Sequence, residues 1–212
     1  MEEQAPRLTP QSAASVAPSD LAESPACDFE YKAVAGGIEI TKYIGTSARV
    51  RIPEKIEGVP VTAIGDKAFG WSDIAEVRMP DGVTSIGELA FAECTDLTGI
   101  DMPGGVTSIG QHAFSDCTGL TGIDIPGGVT EISGGAFSGC TGLTSVAIPD
   151  GVTQIGFGAF AHCSGLKVVS IPGNITRIGD YAFGGCTGLT ATYGGVPYAE
   201  LNKLRDAVNG GS

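Results

Sequence analysis

The chain has 212 residues, with 12 Lys plus Arg against 24 Asp plus Glu, a formal net charge of −12 and 33 Gly. That acidic balance argues against nucleic acid or an anionic membrane as partner, since both need a basic face. No apolar run approaches the roughly 18 residues of a membrane-spanning helix.

The first segment, Met1 to Ala26, is rich in Ala, Pro and Ser and has neither an aromatic residue nor a period. Such a composition cannot offset its own ordering entropy, so residues 1–27 read as a disordered tail or linker. They do not read as a signal peptide, because Glu2-Glu3 opens the chain and no apolar h-region comes after it. Asp28 to Ile44 then alternates apolar and polar residues around Gly36-Gly37, the pattern of a β-hairpin. Residues 28–60 are expected to form an N-terminal β cap.

Residues 61–195 repeat, and the cap is expected to cover their open end. Phe69, Phe91, Phe114, Phe137, Phe160 and Phe183 are spaced 22, 23, 23, 23 and 23 apart. Pro80, Pro103, Pro126, Pro149 and Pro172 keep a step of 23, as do Cys94, Cys117, Cys140, Cys163 and Cys186. A period in the twenties with Leu-x-x-Ile-x-Ile points to a leucine-rich-repeat solenoid. In the unit Val106–Gly128, the Leu120-x-x-Ile123-x-Ile125 segment suits a short strand with the Ile side chains inward. Pro126 ends the ladder for want of an N–H, and Gly127-Gly128 makes a turn. Ala136, Phe137, Cys140 and Leu143 fall at i, i+1, i+4 and i+7, one face of a short helix. The predicted fold is therefore an α/β repeat solenoid, a right-handed superhelix of about six 23-residue coils. The first coil is one residue short and lacks the Cys, with Trp71 or Ser72 near that column. Over residues 196–212, Tyr198, Leu201, Leu204 and Val208 share a helical face, a capping helix over the last apolar layer.

The frame Ile-Pro…Val-x-x-Ile-Gly-x-x-Ala-Phe-x-x-Cys-x-x-Leu resembles the bacterial BspA-like, or Treponema pallidum type, leucine-rich repeats. The lead-in over residues 40–69 is similar to the segment that opens such domains, and the resemblance covers about residues 28–195. It implies a surface or secreted bacterial protein and, in some members, adhesion to host matrix proteins or other cells. It implies no catalytic residues. The location expected is the cell surface or secretion if a leader precedes this sequence, and the cytoplasm otherwise.

Little chemistry competes with that reading. Five cysteines share one apolar column and no Cys-x-x-Cys spacing exists, so they read as buried structural thiols, with Cys27 apart. His112 and His162 occupy different repeat columns and read as surface residues. Asp101 and Asp124 stack one strand apart, as a retaining glycosidase's carboxylates do at about 5 Å. They lack a third group, and tight turns enclose no pocket around them. No catalytic residue, metal ligand or cofactor is expected.

A partner is expected on the concave strand face, whose outward positions are Arg49, Glu76 and Ser145 in one column and Arg51, Arg78, Asp101, Asp124 and Ser170 in the next. Thr98, Thr121, Thr144 and Lys167 lie beside them. The face runs from basic through acidic to small and neutral, and is poor in the aromatics typical of hot spots. The expected function is a non-enzymatic module, monomeric, binding a host or neighbouring-cell protein or glycan. The alternative is an intracellular or periplasmic interaction scaffold.

Overall fold

The structure, a computed structural model, describes residues 21–198 together with Asp206, Val208 and Asn209. Its opening hairpin pairs Phe29–Val34 antiparallel with Gly37–Tyr43. Gly36 turns the chain at φ +91°, a conformation open to glycine.

Two parallel ladders then run along the solenoid. The first has rungs at Arg49–Arg51, Glu76–Arg78, Gly99–Asp101, Ser145–Ala147, Val168–Ile171 and Thr190–Tyr193, with Gly122 contributing a lone bridge to Ser145. The second comes after each proline turn, at Val59–Ile64, Ser85–Ile86, Ser108–Ile109, Glu131–Ile132, Gln154–Ile155 and Arg177–Ile178. The turns between them are closed by the N–H of Val83, Val106, Val129 and Val152 donating to the proline carbonyl three residues back. The molecule is thus a β-solenoid of about seven coils. The extra coil comes from residues 49–64, most of which the sequence pattern assigns to the cap.

One part of the predicted fold is corrected. The coils contain no α-helix among the described residues; the Ala-Phe-x-x-Cys segment is a succession of turns. Two left-handed positions interrupt it in every coil. One column is Lys67, Leu89, His112, Gly135, Gly158 and Tyr181, and the other is Trp71, Glu93, Asp116, Gly139, His162 and Gly185, all at φ between 53° and 79°. A right-handed helix cannot pass through such residues. The turns instead bond coil to coil: Phe69, Phe91, Phe114, Phe137 and Phe160 each donate their N–H to an alanine carbonyl of the next coil, at 2.7–2.8 Å.

The core is a file of rings. Tyr43, Phe69, Phe91, Phe114, Phe137, Phe160 and Phe183 stack with centroids 4.9–5.4 Å apart, and Phe29 closes the file by tilting against Tyr43. The hairpin is therefore fused to the solenoid through its own aromatic layer. Beside the rings, Cys94, Cys117, Cys140, Cys163 and Cys186 each donate an S–H to the phenylalanine carbonyl of the preceding coil, at 3.0–3.1 Å. In the first coil Ser72 stands in this column, but its hydroxyl donates to the Phe69 carbonyl of its own coil, which Cys94 also uses, and lies 3.7 Å from the Cys94 sulfur. The column is thus a polar rung made by a residue small and apolar enough for the core.

Both strand ladders are interrupted at one level. The first breaks after Gly99–Asp101 and the second after Ser108–Ile109, so the strands fall into separate sheets on either side. The second break has a steric cause. The Ile-Gly column admits no Cβ: one built at Gly110 would sit 2.5 Å from the Gly87 carbonyl carbon, and one at Gly156 would sit 2.6 Å from the Gly134 nitrogen. Ser133 is the serine of that column. Its hydroxyl donates to the Ile109 carbonyl at 2.6 Å, where Gly87, Gly110, Gly156 and Gly179 use their backbone N–H. In the first ladder the break falls at Gly122–Asp124, where Asp124 adds a second carboxylate to the repeat column of Asp101.

The ends of the stack are covered. Ser24, in the segment read as tail, donates its backbone N–H to the Arg51 carbonyl at 2.8 Å, along the outer edge of the first rung. At the far end Val196–Tyr198 turns back antiparallel to Thr190–Tyr193, so Tyr198 belongs to a strand and does not start a helix. Most of the predicted helix over 198–208 lies outside the described residues. Asn209 uses its side-chain amide as a strand would, donating to the Ile178 carbonyl at 2.8 Å and accepting from the Ile178 N–H at 3.0 Å.

Candidate functional site

The strand face is the first candidate. Register places Arg49 beside Glu76 and Arg78 beside Asp101. The Arg49 Nε donates to Glu76 at 2.6 Å, and the Arg78 Nε lies 3.5 Å from an Asp101 oxygen. The Glu76 carboxylate raises the pKa of Arg49 further, chiefly through that hydrogen bond. Arg51 turns to the N-terminal segment instead, donating to the Leu21 carbonyl at 3.2 Å with Glu23 at 3.9 Å. The charge gradient expected along this face is therefore largely spent on neighbouring rungs. Asp101 pairs with Arg78, and the described residues contain no group of three His, Cys, Asp or Glu able to hold a metal ion.

The flanking polar column is structural too. The hydroxyls of Thr98 and Thr144 donate to the carbonyls of Ala75 and Thr121, both at 3.2 Å. The Lys167 ammonium ties two turns by donating to the carbonyls of Ser164 and Thr187. Ser170 accepts from the Thr192 hydroxyl at 3.3 Å, and Ser145 pairs in the ladder with Val168. The side chains of Thr121 and Asp124 stay exposed. What results is an ordered face of small and internally paired side chains.

The cysteines are free thiols, four of them buried, Cys186 half-buried and Cys27 exposed. Burial pushes Cys94 and Cys117 up and raises Cys140 to about 12. Cys163 is raised by its hydrogen bond with Cys186, then by burial; the same bond lowers Cys186. Thiols held protonated in an apolar file are poor nucleophiles and poor metal ligands.

A second candidate lies off the strand face and escapes the sequence reading. It is a groove of about 710 Å³, floored by the second ladder and the turns after it in the later coils. In the earlier coils, Leu89, His112, Glu93 and Asp116 fill the two left-handed columns. In the later ones Gly135, Gly139 and Gly158 take over, and His112 leans on Gly135, where an added Cβ would meet its ring at 2.3 Å. The floor is hollowed because these side chains are missing. Phe157 and Tyr181 stand over it, 65 % and 70 % exposed, with ring centres 5.8 Å apart and planes at 74°. Gln111, Glu131, Gln154, Arg177, Asp180 and His162 complete the rim. The histidines, in separate columns, reach the same groove because the two left-handed positions of each coil point to one side. The signal was present in the sequence as departures from the repeat: Phe157 stands in a column that elsewhere holds Asp66, Glu88, Gln111, Gly134 and Asp180, and Tyr181 stands where the two preceding coils have glycine.

Comparison with known proteins agrees with the geometry. A family model described as the BspA type leucine rich repeat region matches residues 62–190 in six copies. The crystal structure of the T. pallidum leucine rich repeat protein superposes with a TM-score of 0.79 at 36% identity, over 82% of this chain and 83% of that one. A leucine rich cell surface protein from Faecalibacterium prausnitzii A2-165 gives a TM-score of 0.63 at 32% identity. That match covers 83% of this chain and 55% of the other, so the chain spans about half of that protein. No curated protein matches. The ring file, the thiol rungs and these likenesses together place the chain in the BspA-type leucine-rich repeat family, a bacterial fold of protein interaction.

Proposed function

We propose that the chain is a non-enzymatic binding module of a bacterial surface or secreted protein, and that it holds a partner protein against the first-ladder strand face. The observation that carries this reading is the state of that face. Its rungs are fixed by backbone pairing on either side of the Gly122 level, its arginines are paired in place, and its positions Gly99, Gly122, Ser145 and Ala147 are small. Seven rungs at about 4.8 Å spacing offer a pre-ordered surface roughly 30 Å long. A flat surface of that kind suits a broad protein contact, since small ligands need enclosure. Few side chains are left to immobilise on docking, which lowers the cost of association. Paucity of aromatics keeps each contact weak, and repetition of the module on a cell surface supplies avidity. The description of the F. prausnitzii relative as a cell surface protein supports this setting.

The test is binding of the purified chain to an array of host matrix proteins by interferometry. Ala147→Trp and Ser170→Trp add bulk to the face without entering the core, and each is expected to weaken binding at least tenfold with an unchanged circular dichroism spectrum. Binding that ignores both substitutions would place the contact elsewhere.

A further inference from the structure

We propose that the groove beneath Phe157 and Tyr181 is a binding site for a neutral saccharide, separate from the strand face and independent of the protein contact assigned to it. A pyranose ring carries C–H groups on its faces and hydroxyls around its rim. A site for it therefore needs exposed aromatic faces and planar polar side chains at their edge. The groove has both. Phe157 and Tyr181 are among the most exposed large apolar side chains of the described residues, and their 74° interplanar angle presents one ring face and one ring edge to the same space. Leaving two such rings in water is unfavourable without a ligand to cover them. Gln111, Gln154, Glu131 and Arg177 supply paired donors and acceptors suited to adjacent hydroxyls. The volume of about 710 Å³ lies within the range of about 300–1,000 Å³ typical of ligand sites.

The choice of a neutral sugar rests on charge and on the backbone. The chain carries a net charge of −12, yet the rim sets two carboxylates, Glu131 and Asp180, against the guanidinium of Arg177. That near-balance inside an acidic molecule disfavours an anionic ligand such as a phosphate or sialylated glycan and does not select a cation. An extended peptide would need a free strand edge. Gln154–Ile155, in the middle of the floor, is paired on both sides, to Glu131–Ile132 and to Arg177–Ile178, and the outer side of Glu131–Ile132 is bridged to the preceding coil by the Ser133 hydroxyl donating to the Ile109 carbonyl.

The test is saturation-transfer difference NMR with the full chain and lactose, N-acetyllactosamine, cellobiose and chitobiose, followed by calorimetric titration of those that respond. At least one is expected to bind with a dissociation constant in the millimolar range or tighter. Phe157→Ala and Tyr181→Gly should each weaken it at least tenfold. Neither removes a core contact, and glycine at position 181 relieves a left-handed backbone at φ +55°, so misfolding cannot mimic the result. Ala147→Trp on the strand face should leave sugar binding unchanged, which separates failure of this site from failure of the protein contact. The proposal is overturned if none of the four sugars binds or if binding survives both groove substitutions. Tighter binding of sialylated counterparts overturns it too, as does a groove-dependent self-association or peptide contact in place of sugar.

Discussion

The turn side and the strand side of the solenoid are built from the same repeats, yet only one of them is continuous. On the turn side every ring stacks on the next from the hairpin to the last coil, and every thiol of the repeat column, from Cys94 to Cys186, reaches back to a phenylalanine carbonyl. On the strand side both ladders are cut at a single level, at Ser133 in the second and at Gly122–Asp124 in the first. Cohesion along the rod is thus concentrated in packing, where each layer buries apolar area against both neighbours. Backbone pairing can lapse for one coil without loss of the architecture.

The largest test of that contrast is Phe137→Ala, in the middle of the ring file. It should cost about 3–5 kcal/mol in denaturant unfolding, the usual range for a buried aromatic. A loss below about 1 kcal/mol would mean that the ladders, not the rings, hold the coils together.

Alkaline pH attacks the same side. Burial raises the thiols of Cys94, Cys117 and Cys140 in the folded state, and Cys163 is raised through Cys186 and burial. A raised folded pKa contributes stability below the unfolded value, which is lost as pH rises toward the folded one. Stability should therefore hold to about pH 8.5 and then fall by up to about 1.4 kcal/mol per thiol per pH unit, with Cys140 continuing to contribute until about 12. Unfolding curves from about pH 7 to 10 check this, and flat stability across that span would break the account. At about pH 7 a thiol reagent should label exposed Cys27 quickly and half-buried Cys186 slowly, leaving the other four for the denatured chain. The plain repeat column implies five protected thiols; the terminal position of Cys186 reduces that to four.

On the strand side the effects are smaller and sharper in their location. Ser133→Gly removes the Cβ that the column cannot hold, so the Glu131–Ile132 rung should join Ser108–Ile109. Stability is expected to change by within about 1 kcal/mol, because a side-chain hydrogen bond is exchanged for a backbone one. The decisive reading is amide hydrogen exchange, which should slow around residues 109 and 132–133 and stay as it was at Phe114 and Phe137. Asp124→Asn is the mildest change. Removing one carboxylate from the repeat column that also holds Asp101 should add a few tenths of a kcal/mol, readable as a small rise in unfolding midpoint at low salt.

The repeat frame, the inward Ile, Phe and Cys columns, the proline turns and the opening hairpin could all be read from residue spacing. The helix could not, because Ala136, Phe137, Cys140 and Leu143 satisfy helical spacing equally well when turns carry them. The contrary signal was the columns where Gly135, Gly139, Gly158 and Gly185 alternate with His112, Asp116, Tyr181 and His162, a mark of left-handed backbone. The strand-face charges were legible as residues but not as pairs. Arg49 over Glu76 and Arg78 over Asp101 become partners only when stacking sets them in register. The groove is a property of absent side chains across several coils, so no single motif announces it.

The covered termini have a consequence for how such a molecule can change. Ser24 seals one exposed edge and the Asn209 amide plugs another, and neither reaches the central coils. Whole blocks of 23 residues can therefore be spliced in or out of the middle while both stoppers stay in place. Length becomes an evolutionary variable independent of solubility, with the open-ended growth that bare strand edges invite held in check.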